Sequence, residues 1–384
     1  MERHGSRRYL LLDHWRGLAC LSVLVFHASG QQPDHGTVAQ EIIARLWIGV
    51  PVFFVISGYC ITASVMRTRD TGGTLADYFK RRLRRIFPPY WAAMLLVAVV
   101  ASLAAVTTGA AVLAHTRDGF DAIDPHGLTA WRWLGTLTLT EGWRVHLLPF
   151  GGHGWFLGHA WTLGYEEQFY AVAGVMLLLA PRRWFALAGA VTLAVVAIAA
   201  VVPHDVIGGF WFNGRWLTFA CGIGVYFYLH EAGNRTRSLA PAAMRAALAW
   251  SVLRPEFGSN GIVTETAVGA ATALTLIPLY RYDTSWAALS ALKPLQWCGL
   301  RCYSLYLLHW PIAKMVWWGL TAEGINAWPR TQFLAVPLTL VLSVAVTAVF
   351  FKYVERPCLS SSSRRAVADV VTSAVPARSG AVPA

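Results

Sequence analysis

Apolar residues run along this chain in long blocks, near positions 17-30, 47-66, 88-108, 163-180, 184-202, 214-230, 240-254, 262-280, 302-320 and 331-352. A bilayer core takes roughly 20 apolar residues per helix, so the pattern predicts an all-α polytopic membrane protein with about ten transmembrane helices in one bundle. The seventh block is the weak one: it is short, carries Arg245, and decides the topology by parity. Two polar segments interrupt the series. MRTRDTGGTLADYFKRRLRRIFPPY separates the second and third blocks, and a loop from about 108 to 160, rich in Gly, Trp and His, separates the third and fourth. The loop's composition predicts an ordered cover over a cavity. Residues 1-358 read as one membrane domain and 359-384 as a disordered tail.

Composition agrees with this pattern. Of 384 residues, 56% are hydrophobic and 14% charged, and the mean hydropathy is +0.47, where a soluble enzyme would carry about a quarter charged residues. Arginine sets the expected orientation, since short loops rich in Lys and Arg stay in the cytoplasm. Arg7, Arg8, Arg67, Lys80 to Arg85, Arg182, Arg183, Arg235, Arg237 and the basic tail fall on one side, which predicts cytoplasmic N- and C-termini. The net charge of +12 is then topogenic and calls for no nucleic-acid partner. MERHGSRR and the run behind it read as an uncleaved first helix, because Asp13 and Arg16 stand at its start. The six cysteines lack the spacing of a disulfide framework or a zinc site, and no metal is predicted.

The candidate chemistry lies where polar side chains enter apolar runs. Arg16 and His27 are eleven residues apart, close to three turns, which puts them on one face of a helix about 16 Å apart along its axis. Asp13, three residues before Arg16, can pair with it. An arginine at a span's centre costs roughly 2.5 to 3.5 kcal/mol, so this face should look into the bundle. A desolvated, neutral His27 is a competent general base for a hydroxyl; the bland alternative is a structural histidine at the membrane interface. In the second block, Ser57-Gly58-Tyr59 offers a close helix approach and two hydroxyls, which packing alone would also explain. Arg81, Arg84 and Arg85, with Lys80 and Arg82 beside them, can grip phosphates or serve topology. At the start of the fourth block AWTLGYEEQFY sets Glu166 with Phe169 and Tyr170 on one face, either as an acid or base or as a favourable charge at a helix N-terminus. Tyr306 and His309 in CYSLYLLHWPI are candidates for the cavity or for packing around Pro311.

Taken in order, LDHWRGLACLSVLVFH, PVFFVISGYCIT, KRRLRRIFPPYW, AWTLGYEEQFY, YSLYLLHWPI and VERP resemble the motifs of the integral membrane acyltransferase family 3, over residues 9 to 357. That family includes O-acyltransferases of bacterial surface polysaccharides and of macrolide antibiotics. The resemblance implies a bundle in the bacterial cytoplasmic membrane that moves an acyl group, acetyl or another short acyl, from cytoplasmic acyl-CoA to a sugar hydroxyl. The acceptor would be a cell-envelope glycan, a glycolipid or a macrolide-type metabolite. Acyl-CoA would be a co-substrate, with no tightly bound cofactor. His27 would be the catalytic histidine and Arg16 its companion, with Asp13 and Glu166 supporting them. Arg81, Arg82, Arg84 and Arg85 would hold the coenzyme A phosphates. Ser57, Tyr59, Trp161, Tyr170, Tyr306 and His309 would line the substrate cavity. Some relatives carry a fused external esterase-like domain; this chain is expected to lack one, which would leave acceptor presentation to the bundle and the 108-160 loop. The partners expected are acyl-CoA, a carbohydrate-containing acceptor and the bilayer, and an oligomer is compatible with all of this. The rival reading is a transporter or flippase that uses the same intramembrane polar residues as a path.

Overall fold

The computed structural model of the chain describes residues 9–30, 37–109, 112–114, 127–147, 156–202, 206–325, 330–359 and 364. Among these residues the regular structure is helical throughout, with no strand. Helix α1 (Leu11–Ala28) leads through a short α2 (Val38–Ala44) to α3 (Gly49–Asp70) and to the 34-residue α4 (Leu75–Thr108). Two short helices follow, α5 (Ala130–Leu137) and α6 (Glu141–Leu147), before α7 (Trp161–Leu179) and α8 (Trp184–Val201). Next come α9 (Trp216–Tyr226), extended by a π-helical turn over Phe227–Glu231, α10 (Leu239–Val252) and α11 (Ile262–Leu279). The short α12 (Asp283–Ala287) and α13 (Lys293–Leu300) precede α14 (Cys302–Ala322) and α15 (Arg330–Phe350). A π-helical turn at Phe351–Glu355 and the short α16 (Arg356–Cys358) complete the series.

Each of the ten apolar blocks coincides largely with helix, with ends such as 29–30, 214–215 and 253–254 in turns. Among the described residues, five helical segments are long and apolar enough to cross a bilayer by length and composition: Val38–Asp70, Leu75–Thr108, Pro181–Val201, Ile262–Ala287 and Gln332–Cys358. The weak seventh block is α10, at 14 residues about 21 Å long, short of a hydrocarbon core of about 30 Å. Most of the predicted disordered tail, and residues 110–111, 115–126 and 148–155 of the predicted covering loop, lie outside the described residues.

Two glycine crossings bring the helices around the site together. At the first, α3 crosses α9: a Cβ on Gly58 would stand 2.1 Å from the Phe219 carbonyl oxygen, and one on Gly222 1.9 Å from that of Val55. At the second, α1 crosses α13, where a Cβ on Gly299 would fall 1.6 Å from the Asp13 carbonyl oxygen. Helix α13 and its neighbour α12 follow no long apolar block, yet they anchor the start of α1. The Asp283 carboxylate on α12 accepts the backbone N–H groups of Leu10 (3.0 Å) and Leu11 (2.8 Å), donors that no side chain at the α1 N-terminus satisfies. The turn that carries Asp13 and Arg16 is therefore held from both sides.

Candidate active site

Helices α1, α3, α4, α7 and α14 enclose a cavity of about 100 Å³. Its charged lining consists of Arg16, Arg82, Arg85 and Glu166, three cations to one carboxylate. Such an imbalance in a low-dielectric site suits an anionic or strongly polarised ligand.

One end of the cavity is built from guanidinium groups. Arg16 reaches Asp13 Oδ1 at 3.0 Å through Nη1 and Cys60 Sγ at 3.0 Å through Nη2. Arg82 on α4 donates to the Cys60 carbonyl at 3.3 Å, and its guanidinium carbon stands 5.0 Å from the centre of the Tyr170 ring. Arg85 and Tyr303 line the same end, and the Tyr303 hydroxyl donates to the Ile86 carbonyl at 2.8 Å, tying α14 to α4. Behind them the buried Glu355 carboxylate accepts from the backbone N–H of Ser304 at 3.0 Å and from its hydroxyl.

Helix α7 carries the wall toward the other end in steps of four residues. Tyr170, Glu166 and Thr162 all line the cavity, and a span of eight residues is about 12 Å. The Glu166 carboxylate accepts from the Tyr170 hydroxyl at 2.5 Å and from Ser57 Oγ at 3.2 Å. At the far end the Tyr306 hydroxyl lies 2.8 Å from Thr162 Oγ1 and donates to the His159 carbonyl at 2.5 Å. His309, one turn after Tyr306, sets its Nδ1 at 3.1 Å from the Leu305 carbonyl oxygen and 2.7 Å from that of Tyr306. A nitrogen facing carbonyl oxygens must carry the proton, so the neutral ring is the Nδ1–H tautomer and Nε2 keeps its lone pair. That Nε2 is buried and makes no hydrogen bond, the arrangement a base requires.

The structure thus brings Arg16, Ser57, Arg82, Arg85, Glu166, Tyr170, Tyr306 and His309 to one cavity. His27 is not on its wall: it is buried behind His309, with ring centres 5.4 Å apart. Asp13 touches the cavity only through Arg16. The arginine cluster divides: Arg81 donates to Thr68 Oγ1 at 2.6 Å and Arg84 to the Pro357 carbonyl at 2.9 Å, both away from the cavity. Tyr59 also faces away, its hydroxyl 2.8 Å from His230 Nε2 among Tyr9 and Tyr226. Trp161 lies under the Arg215 guanidinium, 4.6 Å from its ring centre. Of the lining side chains that carry sulfur or a hydroxyl, Cys20, Cys60, Thr162, Cys302 and Tyr303 escaped the sequence reading as candidates, and so did His159 behind the wall. The lining residues sat inside quoted motifs, but only packing reveals which side of the helix faces the cavity. Among the described residues no group of three or more His, Cys, Asp or Glu side chains is arranged to hold a metal ion.

Comparison with known proteins follows the same lines. The family model described as an acyltransferase domain matches residues 9–351. The chain is 24% identical over 385 residues to a putative peptidoglycan O-acetyltransferase of Bacillus subtilis, YrhL, covering 92% of this chain and 55% of that protein. It is 25% identical over 396 residues to the O-acetyltransferase OatA of Staphylococcus aureus, covering 93% and 58%. It is 23% identical over 380 residues to the peptidoglycan O-acetyltransferase OatA of Listeria monocytogenes, covering 92% and 56%. The chain spans just over half the length of these relatives. No solved structure matches it.

Proposed function

The chain belongs to the membrane acyltransferase family whose domain model covers residues 9–351, and we propose that it transfers an acetyl or other short acyl group from acyl-CoA to a sugar hydroxyl of a cell-envelope glycan. The observation that carries this reading is a single cavity with guanidinium groups at one end and an imidazole with a free lone pair at the other. The similarity to proteins named as peptidoglycan O-acetyltransferases favours a peptidoglycan-type acceptor over a macrolide.

In this reading Arg82 and Arg85 hold phosphate oxygens of the coenzyme, since guanidinium forks match them. The thioester then extends along α7 past Glu166. His309 Nε2, on the cavity wall with His27 behind it, takes the proton of the acceptor hydroxyl as that oxygen attacks the thioester carbonyl. The alternative route passes the acyl group first to an imidazole nitrogen and then to the hydroxyl. In either route Arg16, at the guanidinium end with Arg82 beside Cys60, adds a further cation for the anionic part of the coenzyme. Glu166, held by Ser57 and Tyr170, fixes the α7 wall and repels a misplaced anion.

The test is transfer of radiolabelled acetyl from acetyl-CoA in membrane vesicles, with muropeptides offered as acceptor and the product identified by mass spectrometry. Label should appear on a sugar hydroxyl with the parent protein and disappear with His27→Ala and His309→Ala, at equal amounts of folded protein. Retention of most activity in both variants would refute the imidazole mechanism. Absence of label with acetyl-, propionyl- and longer acyl-CoA, despite folded protein and a cell extract as acceptor, would favour the translocation reading.

A further inference from the structure

The cavity wall changes character along each helix that forms it. On α1 it passes from Arg16 to Val23, about 10 Å further along the axis, and on α3 from Cys60 to Phe54 and Val50. On α7 Leu163 lies two turns before Tyr170. Valine, phenylalanine and leucine therefore gather at the end that holds Tyr306 and His309, opposite the guanidinium groups. Two of these side chains have no freedom to withdraw. Val23 is β-branched, which leaves one preferred rotamer in a helix. Directly behind it α3 closes in: a Cβ on Gly49 would fall 2.9 Å from Val23 Cγ2 and 2.5 Å from the Ala19 carbonyl oxygen. The Phe54 ring stands edge-on to Phe169 with centres 5.5 Å apart, has Tyr165 at 6.4 Å, and is buried.

A rigid apolar wall beside a reacting centre measures the group that is transferred. A tail that fits gains contacts, whereas a longer one must displace atoms that are already packed. The space is small: the whole cavity, about 100 Å³, has to serve the thioester and the acceptor hydroxyl as well. The same wall reads charge. A carboxylate on the acyl tail would lose its water at this end with no cation to meet it, because Arg16, Arg82 and Arg85 stand at the other end and Glu166 lies between. The hydroxyls of Tyr306 and Thr162 are already bonded to each other, and Tyr306 donates to the His159 carbonyl.

We propose that Val23 and Phe54 determine which acyl group is transferred, by closing the imidazole end of the cavity against any tail longer than propionyl and any tail that carries a carboxylate. Acetyl is the preferred group, propionyl a poorer one, and butyryl and succinyl are excluded. The inference rests on the acyl-CoA reading given above and assigns to that site the two side chains that select its donor.

The experiment is an internal competition in vesicles carrying the full chain, with muropeptides as acceptor and two acyl-CoA donors at equal concentration. The product ratio, read by mass spectrometry, gives the ratio of kcat/KM values whatever the amount of active protein. The parent should favour acetyl over butyryl by at least about 100-fold, since each methylene in a hydrophobic pocket is worth about 10-fold or more. Val23→Ala and Phe54→Leu should each raise the butyryl-to-acetyl ratio about 10-fold, and Val23→Ile should lower the propionyl-to-acetyl ratio about 10-fold. Val65→Ala, at a buried valine of α3 that is off the cavity wall, should leave both ratios within about twofold of the parent's. Succinyl-CoA should give no product. Ratios within about twofold of the parent's in both Val23→Ala and Phe54→Leu would overturn the assignment. So would an equal shift in Val65→Ala, which would make the effect a general loosening of the bundle, or succinyl transfer by the parent as fast as acetyl transfer. A parent that transfers from none of these donors refutes the acyl-CoA reading and the inference with it, whereas transfer with unmoved ratios refutes only the selecting wall.

Discussion

Two partly buried arginines in this bundle are built in opposite ways. Arg215 is saturated: it grips both oxygens of Glu265 at 3.0 Å, donates to the Tyr165 hydroxyl at 2.9 Å and stacks against Trp161 and Tyr165. Arg16 meets one oxygen of Asp13 and the sulfur of Cys60, a weak acceptor, and it lines the cavity. A cation whose fork is filled by its own protein fastens helices together. One that is left underfilled at a cavity wall has capacity for a ligand. The same residue type, similarly enclosed, thus serves architecture in one place and chemistry in the other.

The comparison is broken most directly at its architectural side. Glu265→Ala leaves the Arg215 guanidinium enclosed without its carboxylate and should cost about 3 to 5 kcal/mol of stability, read from denaturant unfolding of the purified protein. A loss under about 1 kcal/mol would mean that water or another group replaces Glu265, and that Arg215 is not a structural clamp. Arg16→Gln should do the reverse. Transfer of labelled acetyl at subsaturating acetyl-CoA should fall about 10- to 100-fold, equivalent to about 1.4 to 2.7 kcal/mol, as expected when a cation that pairs with an anionic ligand is removed. Its unfolding midpoint should stay close to the parent's. If Arg16→Gln unfolds the protein as Glu265→Ala does, the distinction between the two arginines fails.

Much of this layout was legible along the chain, and the reasons can be read from particular residues. The all-helical, membrane-type architecture was visible because apolar length is a one-dimensional signal, although only five helical segments among the described residues meet the length and composition of a span. The Asp13–Arg16 pair and the Tyr170–Glu166 bond were foreseeable because three and four residues bring side chains together on any helix. What stayed hidden was rotation and long-range capping. Helical spacing alone could not tell Arg82 and Arg85, on the cavity, from Arg81 and Arg84, turned to Thr68 and Pro357. Tyr59, two residues from Ser57 and so on a different side of α3, meets His230 instead of the cavity. Arg215 and Glu265 are fifty residues apart, and Asp283 caps a helix more than 270 residues upstream. Such pairs carry no local signature.

The close helix crossings sharpen the architectural side further. Gly58→Ala would push a methyl group onto the Phe219 backbone, which cannot move aside as a flexible side chain would. Overpacking of this kind costs about 1 to 3 kcal/mol. Gly299→Ala should behave alike, and it should also disturb activity, because it displaces the turn of α1 that carries Asp13 and Arg16. Gly72→Ala is the control for bulk at a site where nothing lies within 4 Å, although its left-handed backbone (φ +65°) adds strain of its own. Parent-like unfolding and transfer in Gly299→Ala would show that the α1–α13 contact is softer than its geometry implies.

The smallest expected effect separates the two halves of the arginine cluster. If Arg82 and Arg85 hold coenzyme phosphates from the cavity side, Arg82→Ala should raise the KM for acetyl-CoA about tenfold, a loss of about 1.4 kcal/mol, with kcat less affected. Arg84 spends its guanidinium on the Pro357 carbonyl at the exposed surface, so Arg84→Ala should change that KM by less than about twofold. Raising the salt concentration should weaken donor binding to the parent more than to Arg82→Ala, since one screened charge contact has already gone. Equal effects of the two alanine variants would mean that the whole cluster acts as a diffuse basic field. The division seen in the structure, with Arg82 under the Tyr170 ring and Arg84 outside, would then have no bearing on how the donor is held.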